Sequence, residues 1–313
     1  MDRVPSPQIP PDLESQRVLG EDWAGWLDGL PRRAADLLAE WELTQVAASL
    51  HGFCSLVLPV VDADGRGAAL KVSFDGDDES EHEGLVLQRW AGEGAVRLQR
   101  ADPHRRALLL DWLPGGDLRD AWDVEACEVV AGLYGRLHVP ALPQLRTVAS
   151  YVGRWLAELE DLGRDVPVPR RYVEQALSLG RDLVVPDAGA DVVVHGELHY
   201  ANVLADADGG WLAIDPKPMS GDPHYEPAPM LWNRMEELGS SSESVRDGLR
   251  RRFHTLVDVA GLDDSRARDW VVVRMVINAG WAVQDARRAA RDLNRAERDR
   301  ITGCIAIIKA VQD

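Results

Sequence analysis

The chain has 313 residues, with 52 acidic against 35 basic side chains and a formal charge of −17. That excess of carboxylates argues against a nucleic-acid partner and against an acidic membrane surface, since both draw their affinity from clustered Lys and Arg; cationic small molecules are the natural ligands. At 45% hydrophobic and 28% charged residues, the chain is globular and long enough for one large domain or two moderate ones.

No apolar run approaches the roughly 18 residues of a membrane helix. The start, MDRVPSPQIPPDLESQ, has neither a basic n-region nor an apolar h-region, so the expected location is cytoplasmic. Cys54, Cys127 and Cys304 are widely spaced and form no CxxC pair, which indicates neither a disulfide framework nor a zinc site.

Pro5, Pro7, Pro10 and Pro11 predict a flexible lead-in over residues 1–12. Trp23, Trp26, Leu27, Leu30, Leu37, Leu38 and Trp41 recur at helical spacing and predict an amphipathic helix interrupted near Pro31. From Leu43 to Phe74, β-rich runs around the DADGRG turn predict three antiparallel strands. A polar DGDDESE linker leads to a helix in EHEGLVLQRWAG, and VRLQRADPHRRALLLDWL reads as a hairpin turning at Asp102-Pro103. After Leu113-Pro114-Gly115-Gly116 helical patterns dominate, over 124–138, 150–162, 171–183, 226–238, 245–259 and 267–290. The division is therefore a β-rich lobe over 1–112 and a mainly helical lobe over 113–313, an α+β arrangement. One island of strand signal, VVVHGELHYANVLADADGGWLAIDPKP, interrupts the helices.

That island gathers His195, Glu197, His199, Asn202 and Asp215 at the ends of short strands, where loop backbone can aim side chains into a cleft. Zinc is a poor reading of the two histidines, because Gly196 and the preceding valines oppose the helix that a metalloprotease motif requires. Asn202 and Asp215 suit Mg²⁺, a hard ion that takes carboxylate and amide oxygens and shares substrate phosphates. Glu197 beside such a metal could accept the proton of an attacking hydroxyl, as in kinase phosphoryl transfer. His195 and His199 are read as braces of the loop, and a purely structural role for the whole cluster is the competing reading.

These residues resemble the aminoglycoside phosphotransferases, in the branch of the streptomycin 6-kinases and hydroxyurea phosphotransferases. The family loop, close to HGDLHxxN, is matched by His195-Gly196-Glu197-Leu198-His199-Tyr200-Ala201-Asn202. Ile214-Asp215-Pro216-Lys217-Pro218 stands where protein kinases carry DFG, followed by GDPHYEPAPMLWNR. The resemblance implies a bilobal protein-kinase-like fold, a small β-rich nucleotide lobe and a larger helical lobe. It also implies ATP or GTP as co-substrate with Mg²⁺. By the same resemblance Lys71, in ALKV, would hold the α/β-phosphates with Glu83 as its partner. No GxxxxGK[ST] occurs, so the phosphate-covering turn is expected around Ala48-Ser49-Leu50-His51-Gly52. The connector from Leu110 through Asp111 to Leu113 would meet the adenine edge.

The implied activity is transfer of the γ-phosphoryl group to a hydroxyl of an aminoglycoside such as streptomycin, conferring resistance. Hydroxyurea or another small metabolite is the alternative acceptor. Where the family has Asp this chain has Glu197, and the extra methylene opens a third reading, a binding protein with weak or lost transfer. Glu226, Asn233, Glu236, Trp281 and Asp285 are the expected acceptor-side residues.

Overall fold

The computed structural model describes residues 7–162, 166–185, 191–239 and 244–312. The chain forms two compact units, Met1–Gly115 with Ala205–Lys217, and Gly116–Leu204 with Pro218–Asp313.

The first unit opens with α1 (Pro11–Glu14) and α2 (Glu21–Glu40). Of the expected flexible lead-in, residues 1–6 lie outside the described residues. Residues 11–14 are helical instead, because Pro11 suits a first helical turn and Leu13 is buried in the core. The expected break at Pro31 is also absent. α2 runs through it, since burial of Leu27, Leu30, Ala34, Leu37 and Leu38 along one face outweighs the single backbone hydrogen bond that Pro31 removes.

Strands β1 (Thr44–Gln45), β2 (Leu50–His51), β3 (Ser55–Val61) and β4 (Gly67–Ser73) follow, then α3 (Glu83–Trp90), β5 (Leu98–Asp102) and β6 (Ala107–Asp111). They form one antiparallel sheet in the order β1-β3-β4-β6-β5, with β2 also paired to β3. The sequence pattern predicts three strands before Phe74 and four occur, because two short segments divide the edge of β3 between them. β4 lies in mid-sheet, with Lys71 opposite Val57 on one side and Leu108 on the other. Ala68, Leu70 and Val72 alternate with Lys71 and enter the core built on α2, which leaves Lys71 on the opposite face.

The second unit contains α4 (Asp123–Leu137), α5 (Val148–Leu162), α6 (Arg170–Leu183) and β7 (Val192–Val194). After β8 (Val203–Ala205) the chain passes into the first unit for β9 (Trp211–Ala213), and it returns with β10 (Met219–Gly221), which pairs antiparallel with β7. Residues 205–217 therefore depart from the expected division at 112/113. Main-chain hydrogen bonds explain this: Val96 N–H to Ala213 O at 2.9 Å, Ala213 N–H to Gly94 O at 2.9 Å, and Gly115 N–H to Ala205 O at 3.2 Å.

Helices α7 (Ala228–Trp232), α8 (Val245–Ala260), α9 (Asp264–Arg288) and α10 (Arg295–Gln312) complete the unit. The helix expected over 226–238 is broken. α7 ends at Trp232, Arg234 adopts a left-handed conformation (φ 54°), and Met235–Glu237 form a separate 3-10 turn. α9 is buried on every side from Trp270 to Gly280 and packs against α5, α6, α8 and α10, as expected of the central helix of a helical layer. No helix among the described residues is long and apolar enough to cross a membrane.

Candidate active site

In the first unit, Lys71 Nζ lies 2.7 Å from both carboxylate oxygens of Glu83 and 2.6 Å from Asp215 Oδ1. Glu83 precedes Val86, Leu87 and Trp90 by three, four and seven residues, so α3 turns it inward with its buried apolar face. Burial works against the Lys71 charge, but Asp215 and Glu83 more than offset it and hold the ammonium's pKa above its ordinary value. Asp215 bends the chain ahead of Pro216 with φ at 54°, a left-handed conformation that Asp tolerates better than most residues. Lys217 reaches back to Asp77 Oδ2 at 3.2 Å and to Asp215 Oδ1 at 3.7 Å.

The other residues expected around a nucleotide fall on the same unit. The tight turn is Gly52-Phe53-Cys54, between β2 and β3 and closed by Gly52 N–H to Ser55 O at 3.0 Å. The expected turn at 48–52 is thus displaced, because Leu50 and His51 pair with β3 as strand; Ser49 precedes β2, with its hydroxyl 3.4 Å from Gln45 Nε2. Asp111 ends β6, its main-chain N–H bonded to Arg97 O at 3.0 Å and its carboxylate accepting from Gln99 at 2.7 Å; Leu113 follows, half-buried.

In the second unit, the segment from His195 to Asn202 leaves β7 through Gly196, whose φ of 82° a side chain would resist. The loop is pinned from beneath by Glu226, which is wholly buried and accepts His195 N–H at 2.5 Å and Gly196 N–H at 3.2 Å. Arg274, from mid-α9, donates to Gly196 O at 2.9 Å and to Tyr225 O at 2.8 Å. Its Nη2 lies 3.9 Å from Glu197 Oε2, so the longer carboxylate has a fixed cation behind it. The imidazoles of His195 and His199 each accept a nearby main-chain N–H at Nδ1, from Glu197 and Ala201. Asn202 gives its Nδ2 to Glu197 O at 2.9 Å, which leaves its amide oxygen as the atom able to ligate.

Tyr200 anchors the far end of the loop by donating to Asp123 at 2.7 Å. Asp123 is gripped by Arg252, which is 1% exposed and also takes Asn233 O at 2.7 Å and Arg234 O at 3.1 Å. Arg252→Met removes the buried cation that grips Asp123, leaving Tyr200 and the more distant Arg251 as its partners, and takes the donor from the Asn233 and Arg234 carbonyls. It is expected to destabilise the chain by about 3–5 kcal/mol, read from the midpoint of urea denaturation.

Glu197 also forms part of the wall of a cavity of about 450 Å³, with Trp232, Asn278, Trp281, Asp299 and Arg300 among the other lining residues. Trp281 lines it too, although its Nε1 is itself fully buried with no hydrogen-bond partner among the described residues. Of the expected acceptor-side residues only Trp281 lines this cavity. Glu226 cannot meet a substrate, because both its oxygens take loop N–H groups. Asn233 donates to Pro229 O at 2.9 Å, Glu236 is exposed on its 3-10 turn, and Asp285 points to Arg288 at 3.8 Å. Asn278, Asp299 and Arg300 are wall residues that the sequence reading does not include. The first has a signal in its place within an apolar helical run, whereas the α10 pair has none.

Residues 40–286 match the family model described as aminoglycoside/hydroxyurea antibiotic resistance kinase. The chain belongs to that family. It is 38% identical over 292 residues to a streptomycin 6-kinase of Streptomyces glaucescens, covering 90% of this chain and 93% of that one. It is likewise 38% identical over 294 residues to a hydroxyurea phosphotransferase of Kitasatospora aureofaciens, covering 90% and 82%. Among solved structures, a choline kinase from Streptococcus pneumoniae superposes with a TM-score of 0.61 at 12% identity, covering 90% of this chain and 99% of that one. The fold is therefore the protein-kinase-like phosphotransferase fold, and this member of the family is a small-molecule phosphotransferase.

Proposed function

We propose that the protein transfers the γ-phosphoryl group of ATP or GTP to a hydroxyl of an aminoglycoside-type antibiotic such as streptomycin, and that resistance is its role. The observation that carries this reading is the position of Glu197, braced by Arg274 and forming part of the wall of a 450 Å³ cavity. A volume of that order suits a drug-sized ligand, whereas a molecule as small as hydroxyurea would leave most of it to water. The indoles of Trp232 and Trp281 in that wall suit the apolar parts of sugar or cyclitol rings. The overall charge of −17 favours a cationic acceptor, and in the wall the Glu197 and Asp299 carboxylates outnumber the Arg300 guanidinium.

In this reading Glu197 accepts the proton of the attacking hydroxyl, and the Asn202 contact to its carbonyl keeps the loop in register as it does so. Lys71, oriented by Glu83, binds phosphate oxygens. The Asp215 carboxylate and the Asn202 amide oxygen are each hard donors of the kind Mg²⁺ takes and would serve as its ligands. Mg²⁺, when bound with the nucleotide, neutralises charge on the phosphates. The chain's own contribution is positioning and preorganised charge.

The test is ADP release with Mg²⁺-ATP and Mg²⁺-GTP against streptomycin, other aminoglycosides and hydroxyurea. Turnover on an aminocyclitol antibiotic, with none on hydroxyurea, is the expected result. The reverse preference would overturn the acceptor assignment and leave the phosphotransferase chemistry standing.

A further inference from the structure

Two lysines converge on one carboxylate oxygen. Asp215 Oδ1 receives Lys71 Nζ at 2.6 Å and Lys217 Nζ at 3.7 Å. Each lysine also has an anchoring carboxylate of its own, Glu83 for Lys71 at 2.7 Å and Asp77 for Lys217 at 3.2 Å. The two pairs are built alike from unrelated segments. Asp77 is held by Ser80 Oγ at 2.8 Å and Glu79 N–H at 3.2 Å, and the Arg106 guanidinium donates to its carbonyl. Lys217 is thus tethered by a carboxylate of its own, as Lys71 is by Glu83.

The two lysines differ in access. The Lys71 side chain is 7% exposed and that of Lys217 is 21% exposed, so Lys217 is the more open of the two to an incoming anion. The half-buried Cys54 lies in the Gly52-Phe53-Cys54 turn between β2 and β3 and feels the charges of Asp77, Lys217 and Asp215. Burial and those carboxylates raise the Cys54 thiol to about 12, so it contributes no competing anion at neutral pH.

We propose that Lys217 is a second phosphate-binding residue, a cation that with Lys71 holds the polyphosphate of the nucleotide while Asp77 orients it. A lone pairing of Lys217 with Asp77 would need no third group, yet Lys217 also approaches Asp215, the carboxylate that Lys71 shares. The cluster of two ammonium and three carboxylate groups is net negative by formal count, so a polyanion held there would depend on both cations, Lys71 and Lys217. This inference rests on the phosphotransferase reading and adds to it a residue that reading does not use.

The experiment is titration calorimetry of the full chain with Mg²⁺-ATP. Wild type is compared with Lys217→Met, Lys217→Arg and the double variant Lys217→Met/Asp77→Asn. Loss of one charge-assisted contact is expected to weaken ATP binding about 10- to 100-fold in Lys217→Met, with Lys217→Arg retaining most of the affinity. The double variant leaves no unpaired carboxylate, so it folds even where the single variant does not, and it is expected to bind ATP as weakly. Recovery of wild-type affinity in the double variant would show that Lys217 only neutralises Asp77 and would overturn the proposal, as would an unchanged affinity in Lys217→Met. Absence of binding of both Mg²⁺-ATP and Mg²⁺-GTP by wild type would instead overturn the phosphotransferase reading itself.

Discussion

Glu197→Gln is expected to lower kcat by about 10²- to 10⁴-fold while leaving nucleotide affinity near wild type, because the amide keeps the shape of the side chain and removes its capacity to take a proton. The carboxylate is held from behind: Arg274 Nη2 stands 3.9 Å from Oε2, itself fixed by the Gly196 and Tyr225 carbonyls. Such a support answers the question raised by a Glu where the family motif has Asp. A longer carboxylate without it could sample positions about 1 Å apart, a displacement that costs on the order of 10²-fold. Steady-state kinetics at saturating acceptor, with ATP affinity measured separately, reads the effect. A Glu197→Gln variant with wild-type kcat would remove this residue from the chemistry.

Glu226→Gln is expected to be nearly as damaging although Glu226 touches no substrate. Its carboxylate accepts the His195 and Gly196 N–H groups and lies 3.6 Å from His138 Nε2. An amide can replace only one of the two acceptors and turns a donor toward the other N–H, at a cost of about 1–3 kcal/mol for the unsatisfied group. The loop carrying Glu197 then shifts, and kcat is expected to fall about 10²-fold with it. Burial alone would raise the Glu226 pKa, but His138, His195 and the loop N–H groups outweigh it and hold the carboxyl below its ordinary value. With the folded value below the unfolded one, the stabilisation is complete above the unfolded Glu pKa of about 4.3 and is lost as pH falls through the folded value. The stability gap between wild type and Glu226→Gln should therefore be widest near neutral pH and close progressively in acid. Urea denaturation across that range checks the sign, and a gap that widens on acidification would contradict it.

Much of this site is legible in the amino-acid sequence. Lys71 stands alone among apolar residues in a strand, where alternation sends it to the face opposite the core. Glu83 is implied by the family resemblance, and the structure shows that its place three, four and seven residues before the buried Val86, Leu87 and Trp90 turns it inward. The loop from His195 to Asn202 is short, and its residue types announce their chemistry. Sequence does not show which acids fold in. Glu226 looks like any acid ahead of a helix, and only the return of β10 beside β7 brings it under the loop. Asp77 is one of several acids in a polar stretch that reads as a linker. Arg274 does carry a signal, since an arginine inside VVVRMVIN has no route to water and must find partners within the protein. The break after Trp232 is hidden because it is set by Arg252, a residue of another helix that holds the carbonyls of Asn233 and Arg234.

The central claim is tested most directly by following a labelled γ-phosphoryl group from Mg²⁺-ATP into streptomycin, with wild type and Glu197→Gln in parallel. Labelled, phosphorylated antibiotic from wild type and almost none from the variant is the predicted result. ATP bound by wild type, with no label passed to streptomycin or to any other aminoglycoside, would contradict it.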